Sequence, residues 1–211
     1  MSNEETIKFY KRKLPHWIVA NKSYFVTIRL KNSLPKKLME KLKKQREEIN
    51  AVTTDSKELL NLRRAQFRQI ESALDYGKTG KTDLLNQKVT QVVFESLNWL
   101  KSKGWFIYGA TIMSNHVHLL MSNANGRTEA LLNDLGQFKN FTAREANKIL
   151  LKKGHFWARE DFDHWIRSNS KFERVVNYIA MNPVKAHYVQ KWDEWKWTMI
   201  DDSVKDCIKG N

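Results

Sequence analysis

The strongest constraint on the fold is a pair of adjacent strand-like segments, WFIYGATIM at 105–113 and HVHLLM at 116–121. Only the short polar connection Ser114-Asn115 separates them, which is typical of two paired strands. A further strand is predicted at 23–30, where SYFVTIRL is rich in aromatic and β-branched residues. Strands and helical segments mix irregularly along the chain, which favours an α+β fold with an antiparallel sheet over a doubly wound fold.

Helices with one apolar face are predicted between and after these strands. They cover about 84–102, 127–150 and 170–181. Pro183 disfavours a helical conformation at Asn182, so we expect the last helix to end or re-cap there. The pattern as a whole predicts an antiparallel sheet with packed helices.

A charged segment from about 36 to 75 has its apolar residues spaced mainly for one helical face. It predicts a charged helical hairpin that is broken near 52–55. We interpret this hairpin as a solvated scaffold insertion, and a basic face that grips DNA phosphates is the alternative. The chain is accordingly assigned to a single domain over 1–211, with a charged helical insertion at 36–82.

The charge of the chain predicts a polyanionic partner. Its 211 residues include 37 Lys and Arg against 23 Asp and Glu, which gives a formal charge of +14. DNA, RNA and an anionic membrane surface all fit such an excess. The single cysteine, Cys207, excludes an internal disulfide and a thiolate metal cluster. Because the sequence shows neither an apolar signal core nor a run of about 18 apolar residues, we expect a soluble cytoplasmic protein without a membrane partner.

His116 and His118 are the first candidates for chemistry. On a strand, residues two apart project from the same face, so both imidazoles point together while Val117 faces the core. Two imidazoles make half of a metal site. An isolated pair is more often explained by surface or hydrogen-bonded histidines, so the metal hypothesis requires a third ligand.

The segment VVNYIAMNP supplies a candidate third ligand and a candidate nucleophile. Tyr178 and Asn182 are four residues apart and share one helical face. A divalent metal held by two imidazoles and an amide oxygen would polarise a scissile phosphate, and Tyr178 would attack it in line. Taken singly, Tyr178 is better explained as a half-buried aromatic and Asn182 as a capping residue. Tyr188 is a rival nucleophile, but no amide or carboxylate stands four residues after it.

An ordinary tyrosine has a pKa near 10, so Tyr178 needs the metal, a nearby cation or a base to become a useful nucleophile. Lys139, Lys171 and Lys185 are candidate cations, among which the sequence does not choose. Attack by Tyr178 would leave a 5′-phosphotyrosine and a free 3′-hydroxyl. Because the covalent link preserves the phosphodiester energy, another 3′-hydroxyl can rejoin the DNA without ATP.

Six segments, taken in order, resemble the REP-associated tyrosine transposases, relatives of the small single-tyrosine insertion-sequence transposases in the HUH nuclease superfamily. They are LPHW at 14–17, YFVTIRLKNSLP at 24–35, MSNHVHLLM at 113–121, QFKNFTARE at 137–145, FWAREDFDHWIR at 156–167 and YIAMNPVKA at 178–186. Each is weak alone, and their order and spacing together are specific. Ser114 stands where the family usually has Pro and His187 where it usually has Gly, and the stretch 36–82 matches poorly.

The resemblance implies a HUH nuclease fold with a ferredoxin-like core. It implies metal binding by His116 and His118, nucleophilic attack by Tyr178 and a supporting metal contact by Asn182. The implied cofactor is Mg²⁺ or Mn²⁺, and the implied partners are single-stranded DNA hairpins, especially repetitive extragenic palindromes. The protein would then be nucleoid-associated when bound to DNA, and both a monomer and a homodimer remain open.

Two other functions remain open from the sequence. In the first, the chain is a catalytically inactive single-stranded nucleic-acid-binding protein of the same fold. In the second, it is a metal hydrolase whose nucleophile is water. Basic residues near the motifs are interpreted as nucleic-acid contacts or as surface charges. They are Lys139, Arg144, Arg159, Arg167 and Lys185.

Overall fold

The computed structural model describes residues 6–11, 15–52, 56–76, 82–123, 125–159 and 161–209. Its strands are β1 (Thr6–Lys11), β2 (Pro15–Val19), β3 (Ser23–Arg29), β4 (Trp105–Ile112), β5 (His116–Asn123), β6 (Phe162–Trp165) and β7 (Thr198–Ile200). Its helices are α1 (Lys36–Val52), α2 (Ser56–Tyr76), α3 (Gln87–Ser102), α4 (Leu131–Ile149) and α5 (Asn169–Lys185).

A five-stranded antiparallel sheet forms the centre of the fold, with the order β6-β3-β5-β4-β7. The predicted pair of strands is present as β4 and β5, and Thr111 lies opposite His118 in their register. Strands β1 and β2 form a two-stranded ribbon. The predicted α+β fold with an antiparallel sheet is therefore confirmed.

The two faces of the sheet carry different cores because successive residues of a strand point to opposite sides. In β5, Val117 and Leu119 belong to the larger core, which also contains Leu97 of α3 and Phe138 of α4. Leu120 belongs to the second core, where apolar residues of α5 pack. The histidines of β5 alternate with Val117 and Leu119, so they lie on the α5 side of the sheet.

Helices α1 and α2 occupy the predicted charged hairpin and pack at the β6 edge of the sheet. A third apolar cluster joins Leu42 of α1, Ile70 and Leu74 of α2 and Phe162 of β6. Phe67 of α2 packs against both this cluster and the second core. Helix α2 therefore reaches over the face that carries the histidines. Residues 53–55, where the hairpin was predicted to break, lie outside the described residues, as do residues 77–81 near the end of the predicted insertion.

Helix α5 continues past the point where the sequence predicts its end. The Ser168 side chain accepts a hydrogen bond from the Lys171 backbone N–H and caps the start. Pro183 lies inside the last turn, and the helix ends at Lys185. A proline there removes one helical hydrogen bond, whereas the Ala186 N–H still reaches the Asn182 carbonyl oxygen at 2.9 Å. The expectation that the helix ends at Asn182 was wrong by about one turn.

None of the helices in the described part of the chain is both long and apolar enough to cross a bilayer.

Candidate metal centre and tyrosine site

His116 and His118 lie side by side on β5, both fully buried. Their Nε2 atoms are 2.9 Å apart. The shared strand face brings the rings together as the sequence predicts. The site is therefore built on a central strand of the sheet.

The hydrogen bonds of the outer ring nitrogens assign the tautomer of each histidine. His116 Nδ1 lies 2.5 Å from Asn115 Oδ1, which accepts, so Nδ1 carries the hydrogen. His118 Nδ1 lies 3.0 Å from Thr27 Oγ1, whose own hydrogen is donated to Glu71 Oε1 at 3.1 Å. The Thr27 oxygen therefore accepts from His118. Both Nε2 atoms are left with bare lone pairs that face each other.

Neither histidine relieves this arrangement by taking up a proton. Burial lowers the pKa of His116 to about 3, and burial together with His116 lowers the pKa of His118 well below its ordinary value. Two neutral imidazoles with opposed lone pairs repel each other unless a positive charge lies between or beside them. The two Nε2 atoms are therefore suited to binding a cation.

Asp75 of α2 adds an oxygen to the two nitrogens. Its Oδ1 lies 3.7 Å from His116 Nε2, and ligand atoms of Asp75, His116 and His118 all lie within 4.8 Å of one another. Asp75 Oδ1 is buried and has no hydrogen-bond partner among the described residues. A buried carboxylate oxygen normally has a partner. The three groups together fit a divalent cation held by two imidazoles and one carboxylate.

Tyr178 of α5 places its hydroxyl against this cluster. Its Oη lies 2.6 Å from Glu71 Oε2 and 3.0 Å from Asp75 Oδ2. It also lies 3.4 Å from His118 Nε2. The phenol has a single hydrogen, which it can donate to one of these three acceptors. Acceptors therefore outnumber donors around the Tyr178 oxygen.

The crowding of acceptors also appears in the acid–base properties of the site. Burial raises the pKa of Glu71 to about 8, against the opposing hydrogen bond from Tyr178. Burial raises the pKa of Asp75 to about 6. Burial also raises the pKa of Tyr178 well above its ordinary value, and the charges of Glu71 and Asp75 raise it further. A divalent cation among these groups would favour the ionised form of each.

Asn182, the predicted third ligand, is buried one turn after Tyr178. Its amide lowers the pKa of Tyr178, against the larger effect of burial. Its Nδ2 has no hydrogen-bond partner in the part of the chain that the structure describes. The oxygen in the cluster with the histidines comes from Asp75, and a metal contact by Asn182 stays a prediction.

Of the predicted basic contacts, the structure brings Lys185 to the tyrosine. Its Nζ lies 5.3 Å from the centroid of the Tyr178 ring. Lys139 instead makes a 2.6 Å ion pair with Asp161, with only 13% of its side chain exposed. This pairing is structural, because both charges are largely shielded from solvent.

The predicted arginines lie elsewhere on the surface. Arg144 on α4 pairs with Glu145, and α4 packs against the sheet face opposite the histidines. Arg167 lies 4.6 Å from the centroid of Trp165, and Arg159 is exposed. DNA contacts by Lys139, Arg144, Arg159 and Arg167 stay predictions.

Sequence reasoning missed Glu71 and Asp75. Both lie in the segment that was interpreted as a solvated scaffold, where carboxylates are expected on the surface. Their spacing of four residues places them on one face of α2, which is the available signal. The stripe that contains Phe67, Ile70 and Leu74 marks the neighbouring buried face.

Comparison with known proteins finds a match to one family model. Residues 79–182 match the family model described as "Transposase IS200 like". This match contains the histidines, Tyr178 and Asn182, whereas Glu71 and Asp75 lie before it. Part of the chain is also 26% identical, over 102 residues, to a protein of Haemophilus influenzae named as a REP-associated tyrosine transposase. That alignment covers 44% of this chain and 58% of the relative's length.

The fold is also found in a solved structure. A REP-associated tyrosine transposase bound to a REP hairpin matches 91% of this chain and 82% of its own, with a TM-score of 0.51 and 13% sequence identity. At this level of identity the match shows the fold alone. The α+β fold of this chain is therefore similar to the fold of that transposase, as the sequence resemblance implies.

Proposed function

We propose, because residues 79–182 match the family model described as "Transposase IS200 like", that the chain is a metal-dependent single-strand DNA endonuclease and strand-transferase. Its substrates would be hairpin-forming palindromic DNA strands, and its intermediate a 5′-phosphotyrosine. The observation that carries this proposal is the Tyr178 hydroxyl, 3.4 Å from His118 Nε2 at the edge of the His116, His118 and Asp75 cluster.

Asp75, His116 and His118 would hold the divalent cation. When bound, the cation supplies Lewis-acid polarisation of the scissile phosphate and neutralises charge on its oxygens. Two imidazole nitrogens suit Mn²⁺, and Mg²⁺ would depend more on further oxygen ligands.

The chain's own residues supply the nucleophile and its surroundings. Helix α5 and the carboxylates of α2 hold Tyr178 Oη in one place, which lowers the entropy cost of attack on phosphorus. Lys185, beside the Tyr178 ring, would neutralise a phosphate oxygen. The departing 3′-oxygen becomes the free 3′-hydroxyl that a strand-transfer step requires. A later attack on the phosphotyrosine by a 3′-hydroxyl would rejoin the DNA and release Tyr178.

Two observations support a DNA hairpin as the substrate. The formal charge of +14 fits a polyanion. The solved relative of similar fold is bound to a REP hairpin. We therefore propose hairpins from repetitive extragenic palindromes as the substrate class, with the protein at the nucleoid when it is bound to them.

The test is incubation with labelled single-stranded hairpins from the flanks of the protein's own gene, with Mn²⁺ or Mg²⁺. We expect a covalent protein–DNA adduct on a denaturing gel. Tyr178→Phe should bind the hairpin with unchanged affinity and form no adduct, because it lacks the attacking oxygen. Tyr188→Phe is the matched control and should form the adduct at the wild-type rate, since Tyr188 packs against Trp195 at a ring distance of 5.0 Å.

Other outcomes would support the alternative functions. Tight hairpin binding without cleavage would show an inactive single-stranded nucleic-acid-binding protein. Cleavage without an adduct would show a hydrolase that uses water. Undiminished adduct formation by Tyr178→Phe would remove the nucleophile assignment.

A further inference from the structure

Glu71 touches the atom that the proposed reaction uses as its nucleophile. Its Oε2 lies 2.6 Å from Tyr178 Oη. We propose that Glu71 is a further catalytic residue, which aims the Tyr178 hydroxyl and accepts its proton as the oxygen attacks phosphorus. This inference rests on the proposed function.

The carboxylate of Glu71 is held at both oxygens. Oε1 accepts a hydrogen bond from Thr27 Oγ1, which also contacts His118 Nδ1. Oε2 accepts from Tyr178. The contacts form a closed ring, because Tyr178 Oη lies 3.4 Å from His118 Nε2. Glu71 therefore keeps its orientation toward Tyr178 without help from the substrate.

Asp75 is the other carboxylate near the phenol, and the geometry favours Glu71 as the proton acceptor. Asp75 Oδ2 lies 3.0 Å from Tyr178 Oη, which is longer than the Glu71 contact. Glu71 Oε2 also lies 3.5 Å from His118 Nε2, but the group of mutually close ligand atoms contains Asp75 with both histidines and does not contain Glu71. A carboxylate that shares its charge with a cation is a weaker proton acceptor. The two carboxylates of α2 thus take different roles.

A packing role alone does not explain Glu71. Its side chain is only 9% exposed, and moving a carboxylate out of water is costly. Helix α2 is already attached to the sheet edge through Ile70 and Leu74, which are buried with Phe162. A neutral side chain at position 71 would fill the same space at a lower desolvation cost. The carboxylate is therefore placed for chemistry.

The Tyr178 O–H bond breaks and its proton moves to Glu71 Oε2, while the Tyr178 oxygen forms a bond to phosphorus. The bond between phosphorus and the 3′-oxygen breaks, and that oxygen keeps the electron pair and takes a proton from water. In strand transfer the incoming 3′-hydroxyl gives its proton to water, and protonated Glu71 returns a proton to the departing Tyr178 oxygen.

The test compares Glu71→Gln with wild type in single-turnover adduct formation on one flanking hairpin. The hairpin carries either the natural phosphodiester or a bridging 3′-S-phosphorothiolate at the mapped cleavage position. A thiolate leaves without taking a proton, so this substrate separates activation of the nucleophile from protonation of the leaving group. We expect Glu71→Gln to slow the adduct rate by about 100-fold or more on both substrates. Glu47→Gln, an exposed carboxylate of α1, is the control and should leave both rates unchanged.

The readouts separate catalysis from folding and from the proposed function. The amplitude of the single-turnover trace measures the competent fraction and its rate constant measures the chemical step, so partial unfolding lowers only the amplitude. An unchanged rate constant in Glu71→Gln would overturn the role of Glu71 while the wild-type adduct still supports the proposed function. A defect that the phosphorothiolate rescues would assign Glu71 to the leaving group instead and would also overturn it. Absence of a wild-type adduct would remove the proposed function itself.

Discussion

Single residues orient the candidate metal ligands before any cation binds. His116 is held through Nδ1 by Asn115, and His118 through Nδ1 by Thr27. Partners of this kind fix the tautomer and the ring orientation of metal-binding histidines. The inner nitrogens therefore need little rearrangement to accept a cation, and the affinity of the site depends on the oxygen ligand that completes it.

Asp75→Asn should weaken Mn²⁺ binding to the DNA-free protein by at least about tenfold, because it removes the charged oxygen from the cluster. Isothermal titration calorimetry with Mn²⁺ measures this affinity. Asp202→Asn is the matched control, since 90% of the Asp202 side chain is exposed. It should bind Mn²⁺ as wild type does.

Asn182→Ala distinguishes the two candidate third ligands in the same titration. If Asp75 is the oxygen ligand, the Asn182 variant should keep most of its Mn²⁺ affinity. Unchanged affinity in Asp75→Asn together with a large loss in Asn182→Ala would instead support the ligand that the sequence resemblance implies.

At the level of secondary structure, α2 has two roles. Ile70 and Leu74 attach it to the sheet edge, and Glu71 and Asp75 reach the tyrosine. The two sets interleave over the six residues from 70 to 75, since positions 70 and 74 share one helical face and positions 71 and 75 share the neighbouring face. Packing of α2 therefore controls the position of the carboxylates.

Leu74→Ala should lower the free energy of unfolding by about 2–5 kcal/mol, because Leu74 is only 3% exposed and its removal leaves a cavity. Urea unfolding measures this change. The single-turnover adduct rate should fall as well, since a loosened α2 no longer fixes Glu71. Leu85→Ala is the control: Leu85 is 51% exposed, and the change should stay within about 0.5 kcal/mol. A wild-type adduct rate in destabilised Leu74→Ala would show that the carboxylates do not depend on this packing.

The elements that sequence predicts correctly are those with local patterns. The β4–β5 pair follows from two apolar runs around Ser114-Asn115, and the shared face of His116 and His118 follows from strand periodicity. Helix α5 was placed correctly at its start, and its end was misjudged because one proline near a C-terminus removes a single hydrogen bond.

The carboxylates of the site could not be predicted because their role depends on contacts distant in sequence. Tyr178 meets Glu71 across 107 residues and Asp75 across 103. Within α2 itself, a glutamate and an aspartate on a charged helix are indistinguishable from solvated residues. Only the packing of Phe67, Ile70 and Leu74 turns that face inward.

At the scale of the whole molecule, the two faces of the sheet differ in how they would interact with a polyanion. The site lies on the face covered by α5 and α2, where Lys185 stands beside Tyr178. The opposite face is covered by α3 and α4. The formal charge of +14 acts at long range on any nucleic acid, whereas Lys185 would act at the scissile phosphate.

Lys185→Gln should weaken hairpin binding, because one phosphate contact is lost. The slope of log affinity against log salt concentration should become less steep by about one. Fluorescence anisotropy across a salt series measures the slope. Lys103→Gln, at the end of α3 on the opposite side of the sheet, is the control and should keep the wild-type slope. Equal changes in both variants would show that Lys185 contributes only general charge.

The short turn between β4 and β5 also joins the helical hairpin to the sheet. Asn115 accepts from His116 Nδ1 and donates to the Leu74 carbonyl oxygen at 3.3 Å. One side chain thus joins a candidate metal-binding histidine to the helix that carries the acidic groups. A shortened protein without the α1–α2 hairpin would keep both imidazoles and the phenol but lose Glu71 and Asp75, the carboxylates that meet them among the described residues. A compact version of this protein would have to retain that hairpin or rebuild its acidic groups elsewhere.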